Sequence, residues 1–385
     1  MKLPILLTII SLSTFLTSLK AQQTIPFTDK RWTIQAQGHM QEGYKGMNSL
    51  YLQGGMAYIK DAGFTNGIIE FDIYLSYITS FSGLVFRLTD PINYEELYLR
   101  AQQSGYPDAY QYTPVYNGDP AWQLYHDQYD AVNDGFISWK PRVSGMGYNG
   151  VLTFPFDRWL HVKLLVKGSQ AELYLDKKET PAAFIRELKM GNRTGGIGIK
   201  STVGAAHFAN FSYTVTDDIV FKTKDDGYKI TTAPNTIKSW EVSNTFGEKI
   251  LEKTDQLTAE WLGKQKWKTM NTDADGMINL SQLSVVSDST NAVLAKITVN
   301  SDKDQMKKLN IGYSDRVKLY CNGISVYSGN NSFRTKDYRY LGTIGYFETI
   351  YLPLKKGNNS IILAVSETFG GWGIMAKWEN IEGIR

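Results

Sequence analysis

A chain of 385 residues with a formal net charge of +3 has room for two domains and lacks the long basic blocks of a nucleic-acid surface. Cys321 is its single cysteine, so no intrachain disulfide can form and hydrophobic cores alone must hold the fold. Aromatic residues make up 13% and tyrosine leads with 24, a content that suits β-strands and also surfaces that stack sugar rings.

The chain opens with Met1-Lys2, an apolar run over 3–16, and a small residue, Ala21, before a polar start. This pattern predicts a secretory signal peptide over 1–21, cleaved after Ala21. The run is shorter than the roughly 20 residues that span a bilayer. No cysteine adjoins the cleavage position and no second spanning run follows. The expected location is secreted or periplasmic, without a lipid anchor and without membrane insertion after cleavage.

Period-two alternation dominates residues 22–215. Ile69, Phe71, Ile73 and Leu75 fall on one strand face, with Glu70 and Asp72 on the other. Leu84, Phe86 and Leu88 alternate with Val85 and Arg87, and Leu97 and Leu99 with Glu96, Tyr98 and Arg100. Residues 161–166 and 171–175 read as two strands joined by a Lys-Gly-Ser-Gln turn, and 195–199 and 206–211 as two more. Short strands separated by turns, with no long amphipathic helix, predict a β-sandwich. Residues 216–275 read as a polar connector followed by a mixed segment that wraps onto either domain. Over 276–385 the alternation returns at 292–299, 317–321, 324–327, 349–354 and 361–365, and Asn322-Gly323 is a hairpin signal. Cys321 alternates within such a run and reads as a buried, inert thiol.

Three blocks carry a resemblance: Gly67-Ile-Ile-Glu-Phe-Asp-Ile73, Phe81-Ser-Gly-Leu-Val-Phe-Arg87 and Asn93-Tyr-Glu-Glu-Leu-Tyr-Leu-Arg100. With the Phe-x-x-Trp-x-x-Val pattern ending at Val162, they make the first domain resemble the concanavalin A-like lectin and glucanase group. Its laminin-G-like and 3-keto-disaccharide hydrolase members are the most similar. The segment Val317-Lys-Leu-Tyr-Cys-Asn-Gly-Ile-Ser-Val-Tyr327, with 352–365, resembles a galactose-binding-like jelly roll. The implied fold is all-β, a concanavalin A-like β-sandwich followed by a C-terminal galactose-binding-like β-sandwich in an exported bacterial protein. The implied ligand is an oligo- or polysaccharide, held on the concave face of the first sandwich. The group contains lectins, adhesion modules and glycosidases, so the resemblance does not choose among them.

Alternation places Arg87, Glu96, Tyr98 and Arg100 together on the face opposite the core. A guanidinium can bond two neighbouring hydroxyls and a carboxylate can orient it. Gln103, Gln111, Asn117, Gln123 and His126 follow closely, with Tyr112, Trp122 and Tyr125 as stacking platforms. The competing reading is an ordinary solvated face laced with ion pairs. If the protein is catalytic, Glu96 and His126 are the candidate groups, in a glycoside hydrolase or a 3-keto-glycoside hydrolase or lyase. Glu70 and Asp72 share a face but lack the further glutamate of the Glu-x-Asp-x-x-Glu strand of laminarinase-type members.

The four histidines (His39, His126, His161 and His207) show no metal-ligand spacing. The loop 271–282 imitates a calcium loop but carries Gln282 where the bidentate glutamate belongs, so it reads as a polar turn entering a strand. No cofactor is expected, and a structural Ca2+ elsewhere stays open. Beside the glycan-binding reading stand two others, a sugar-processing hydrolase or lyase and a module that binds other exported proteins.

Overall fold

In a strand every second side chain points to the same face, and the computed structural model is built almost wholly from strands that use this rule. It describes residues 23–385 apart from 107–108, 126–127, 134–135, 141–145, 148–151 and 224–231. The signal peptide read over 1–21 and the candidate His126 lie outside the described residues. Among the described residues no helix is long and apolar enough to cross a membrane.

The first sandwich contains β1 (Gln23–Thr24), β2 (Trp32–Tyr44), β3 (Met47–Phe64), β4 (Gly67–Leu75), β5 (Phe81–Asp90), β6 (Asn93–Arg100), β7 (Tyr110–Tyr116) and β8 (Asp119–Pro120). A single helical turn, α1 (Trp122–Tyr125), and a ribbon of β9 (Gln128–Asn133) with β10 (Phe136–Lys140) follow. The strands β11 (Met146–Gly147), β12 (Arg158–Lys167), β13 (Gln170–Leu175), β14 (Ala183–Ile185) and β15 (Gly195–Val215) complete it.

One hydrogen-bonded path runs β11-β14-β13-β12-β4-β15-β5-β6-β7-β8, with β3 beside β15 and β2 beside β3. It folds into two layers because β15 serves both: residues 207–215 pair with β4 and residues 196–202 with β5. The two strands read from the sequence, 195–199 and 206–211, are thus one strand with a break in register between Ser201 and Ala205. Gly204 stands at the break with φ +118°, and a Cβ there would meet the Thr79 carbonyl oxygen at 2.4 Å. Phe71, Leu164 and Phe208 from one layer and Phe86, Leu97 and Ile199 from the other are buried in one cluster.

The second sandwich contains β16 (Ser239–Ser243), β17 (Trp267–Asn271), β18 (Met277–Asn279), β19 (Ala292–Ser301), β20 (Gln305–Ser314), β21 (Arg316–Cys321), β22 (Ile324–Asn330), β23 (Glu348–Leu354), β24 (Gly357–Ser366) and β25 (Gly373–Trp378), with the short helix α2 (Ala259–Gly263) before β17. A six-stranded sheet, β17-β16-β19-β24-β21-β22, faces a four-stranded one, β18-β25-β20-β23. Trp240, Leu319, Cys321, Leu363 and Trp372 are buried between them. Within the segment read as connector and wrap, residues 239–271 therefore supply two strands of this sheet. Asn322 and Gly323 turn the β21–β22 hairpin with φ +52° and +83°, the pair of left-handed residues that a tight hairpin needs. In the loop over 271–282, Asp273 Oδ1 accepts from the backbone N–H of Asp275 and of Met277.

The two sandwiches meet at α1. Ala121, Leu124 and Tyr125 pack with Met277, Ile344 and Met375. The Lys189 ammonium lies 2.8 Å from Glu187 Oε2 in its own sandwich and 3.7 Å from Asp275 Oδ2 in the other.

Candidate functional site

The residues singled out in the sequence separate into three places. Glu96, Tyr98 and Arg100 do share a face of β6, and Gln111 lies beside Tyr98 on β7. That face is closed by its own partners. Glu96 is 2% exposed and accepts a hydrogen bond from Lys200 Nζ at 2.6 Å, with the ammonium 5.2 Å above the Tyr94 ring. Tyr98 donates to Gln111 Oε1, and the Arg100 guanidinium sits 5.4 Å over the Phe81 ring. Gln103 stands half-buried in the short turn after β6.

Arg87 does not join them. The β5–β6 register shifts after Phe86 and Arg87 takes φ +51°. This bulge puts Leu88 with Val85, Tyr58 and Tyr94 rather than with Phe86, because an extra residue swaps the faces of all that follow. Arg87 is wholly buried and donates to the carbonyls of Thr65, Gly168 and Gly191 at 2.9, 2.6 and 3.1 Å. It ties loops together at one end of the sandwich.

Tyr112 is no platform either. Its ring lies in the core and its hydroxyl donates to Glu95 Oε2 at 2.5 Å. Burial pushes the Glu95 carboxyl up to about 7, against the pull of Tyr112 and the Met190 N–H. The remaining candidates belong to the seam between sandwiches. Asn117 Nδ2 donates to the Ser281 carbonyl at 2.8 Å and Gln123 Nε2 to the Leu341 carbonyl at 2.9 Å. Trp122 packs against Phe333 and Phe369, and Tyr125 is buried beside Met277. Amides and aromatics close together in sequence here recognise the neighbouring domain.

A different face of the first sandwich is open. Glu70, Asp72 and Tyr74 on β4 lie opposite Lys163, His161 and Trp159 on β12, because the antiparallel register pairs them one to one. His207 on β15 stands beside Tyr74, and Tyr51 on β3 beside His207. The imidazole of His207 stacks on Tyr44 with centroids 3.7 Å apart and planes 4° apart, and its Nε2 is 2.9 Å from Glu42 Oε1. Tyr74 meets Tyr44 at 5.0 Å and Trp159 at 5.5 Å, both edge to face. Tyr44, Tyr51 and Trp159 keep part of their surface in solvent.

Next to this aromatic end lies a charged row. His161 Nδ1 donates to Asp72 Oδ1 at 2.7 Å, and its Nε2 is 3.5 Å from Glu70 Oε1. Those two bonds raise the imidazole to about 9 despite its burial, so it is cationic at neutral pH. Burial opposes the charge on Glu70 and Asp72. The bonds to His161 outweigh it, aided by Lys163 at Glu70 and by Asn210 at Asp72, and both carboxyls end below their ordinary range. Glycoside hydrolysis by two carboxyls needs one kept protonated as the acid. Here both are held ionised around a shared cation, which suits hydrogen bonding to hydroxyls and not proton delivery.

Beyond the row is a groove of about 520 Å3, floored by Glu70, His161, Lys163 and Tyr174. Among the described residues, no group of three or more His, Cys, Asp or Glu side chains is arranged to hold a metal ion. The sequence pairs Glu70 with Asp72 by simple alternation. Trp159, His161, Lys200, His207 and Tyr44 enter the two faces only through strand register, which no local pattern reports.

No family model and no curated protein sequence matches the chain. Among solved structures, the carbohydrate-binding module CBM66 from Bacillus subtilis overlaps 48% of this chain and 94% of its own, at 15% identity and a TM-score of 0.32. A Bacillus subtilis protein of unknown function with a galectin-like fold overlaps 50% and 97%, at 12% identity and 0.32. The GH43 BlXynB protein from Bacillus licheniformis overlaps 50% and 38%, at 11% identity and 0.33. Overlap of this extent does not define an activity.

Proposed function

We propose that the protein is an exported glycan-binding protein whose ligand lies along the outer face of β4, β12 and β15. One observation carries this reading: half-exposed rings of Tyr44, Tyr51 and Trp159 stand flush with a row of ionised hydrogen-bonding groups on a solvent-open sheet. A sugar ring offers an apolar C–H face to the aromatic end and hydroxyls to Glu70 and Asn210. One such site typically gives affinity near the millimolar level, about −4 kcal/mol.

The test is a glycan array probed with the protein and with Trp159→Ala. Hits that disappear in the variant, with its melting temperature little changed, are the expected result. Hits that survive Trp159→Ala but not Arg100→Ala would return the site to the β5–β6–β7 face. Silence from every sugar, with one exported protein co-purifying stably, would favour the interaction-module reading. Export itself is tested by sequencing the N-terminus of the secreted protein, expected to begin at Gln22.

A further inference from the structure

The groove beside the charged row has two rigid walls, and both present lysines. One wall is the turn after β13, where Asp176 and Lys177 both take left-handed φ, at 60° and 55°. A two-point pair between Arg158 and Asp176, at 2.9 and 2.6 Å, holds that turn. Lys177 and Lys178 project from it, both exposed. The other wall is the segment leading to Lys222. Buried Glu172 accepts from the backbone N–H of Lys222 and of Thr223 at 3.1 and 2.7 Å and from the Tyr174 hydroxyl at 2.6 Å. Ile219 packs on Leu165 and Tyr174, and the Phe221 ring meets Phe184 at 5.3 Å. These anchors fix the position of Lys222 before any ligand arrives.

Counted around the groove, Lys163, Lys177, Lys178, Lys222 and His161 face Glu70 and Glu179. Glu179 is taken up by Lys222, and Glu70 lies 3.7 Å from Lys163 and 3.5 Å from His161. Lys177 and Lys178 have no salt bridge with any described residue. Among the described residues beyond the lining, Asp72 and Asp176 are bonded to His161 and Arg158, and Lys177 and Lys178 act on them only through space. An open cleft of excess positive charge concentrates anions, and lysine ammoniums serve single anionic groups as point charges.

We infer that this groove binds an anionic glycan, its carboxylate or sulfate groups held by Lys177, Lys178 and Lys222 while the uncharged part of the sugar chain runs toward Trp159. The inference rests on the glycan-binding reading and narrows it to an acidic class. Lys163 lies four positions along β12 from Trp159, about 13 Å, so a short oligosaccharide reaches both ends.

Isothermal titration with three oligosaccharides of matched length tests it: an oligogalacturonate, a chondroitin sulfate fragment and an uncharged xylo-oligosaccharide. At least one acidic ligand is expected to bind roughly tenfold tighter than the uncharged one at low salt, and to lose that advantage as added salt shortens the Debye length. The carboxylate and sulfate arms tell which anion is preferred. The double variant Lys177→Ser/Lys178→Ser is expected to abolish the preference with an unchanged melting temperature, since both side chains stand in solvent. Glu179→Gln, which releases Lys222, is expected to strengthen it. Equal binding of charged and uncharged sugars, or a preference that survives the double variant, overturns the inference and leaves the glycan-binding reading standing. No binding of any of the three, together with a silent array, overturns both.

Discussion

The two outer faces of the first sandwich are built from the same alternation yet end in opposite states. On β5, β6 and β7, Glu96 is spent on Lys200 and Tyr98 on Gln111, and both are buried. On β4, β12 and β15, the carboxylates of Glu70 and Asp72 share one imidazolium, and Glu70 still borders a groove. A polar residue at an outward position is therefore not evidence of availability. What decides is whether the register supplies a partner that uses up its hydrogen bonds, since a buried charge must be paired to be tolerated.

The comparison breaks most sharply at the buried cations. Arg87→Ala should cost upward of about 3 kcal/mol, since it strands the carbonyls of Thr65, Gly168 and Gly191 at about 1–3 kcal/mol each, and a urea denaturation curve reads it directly. A loss below 1 kcal/mol would mean that the loops tied by Arg87 hold themselves. Lys200→Ala comes next, at about 3 kcal/mol, because it abandons Glu96 in a desolvated site. The same logic makes Glu96→Ala a folding defect, so it cannot serve as a clean probe of binding. Gln123→Ala should cost about 1–3 kcal/mol by stranding the Leu341 carbonyl and Ser314 hydroxyl at the seam. Calorimetry should show the two sandwiches unfolding less cooperatively.

On the open face the expected effects are smaller in stability and larger in binding. Trp159→Ala should weaken glycan binding roughly tenfold, about 1.4 kcal/mol, while the fold stays intact. His161 gives a pH signature. Its folded value, about 9, lies above the unfolded 6.5, so its contribution is complete below pH 6.5 and is lost as pH rises through 9. Half-open to solvent, the site should show a decline of about 1 kcal/mol at most over that interval. Thermal melts from pH 6 to 10 should show the decline in the wild type and a flatter profile in His161→Gln. Equal slopes in the two proteins would remove His161 from the ion-pair row.

Much of this architecture is legible in the sequence, and its limits are physical. Strand periodicity is local, so β4, β12 and β21 can be read from their own residues, and so can the Asn322-Gly323 turn. The face shared by Glu70 and Asp72 follows from their spacing alone. The bulge at Arg87 has no such signal, and one unpaired residue there redirects the side chain that heads the predicted site. Asn117, Gln123 and Tyr125 look like sugar contacts because seams between domains and sugar sites draw on the same amides and aromatics. The row of Trp159, His161 and Lys163 becomes visible only when β12 is laid against β4, and the stack of Tyr44 on His207 needs strands from opposite ends of the domain.

The long strand β15 also sets a timetable. It pairs with β1 at Tyr213, with β3 along most of its length, and with β4 and β5 on either side. The β2–β3 hairpin can form early, but both layers wait for residues 195–215 before they can close. Contacts of such sequence separation slow folding. A chain emerging N-terminus first therefore exposes the edges of β3, β4 and β5 until the last strand of the sandwich has followed, and in that interval it depends on whatever keeps unpaired strands apart.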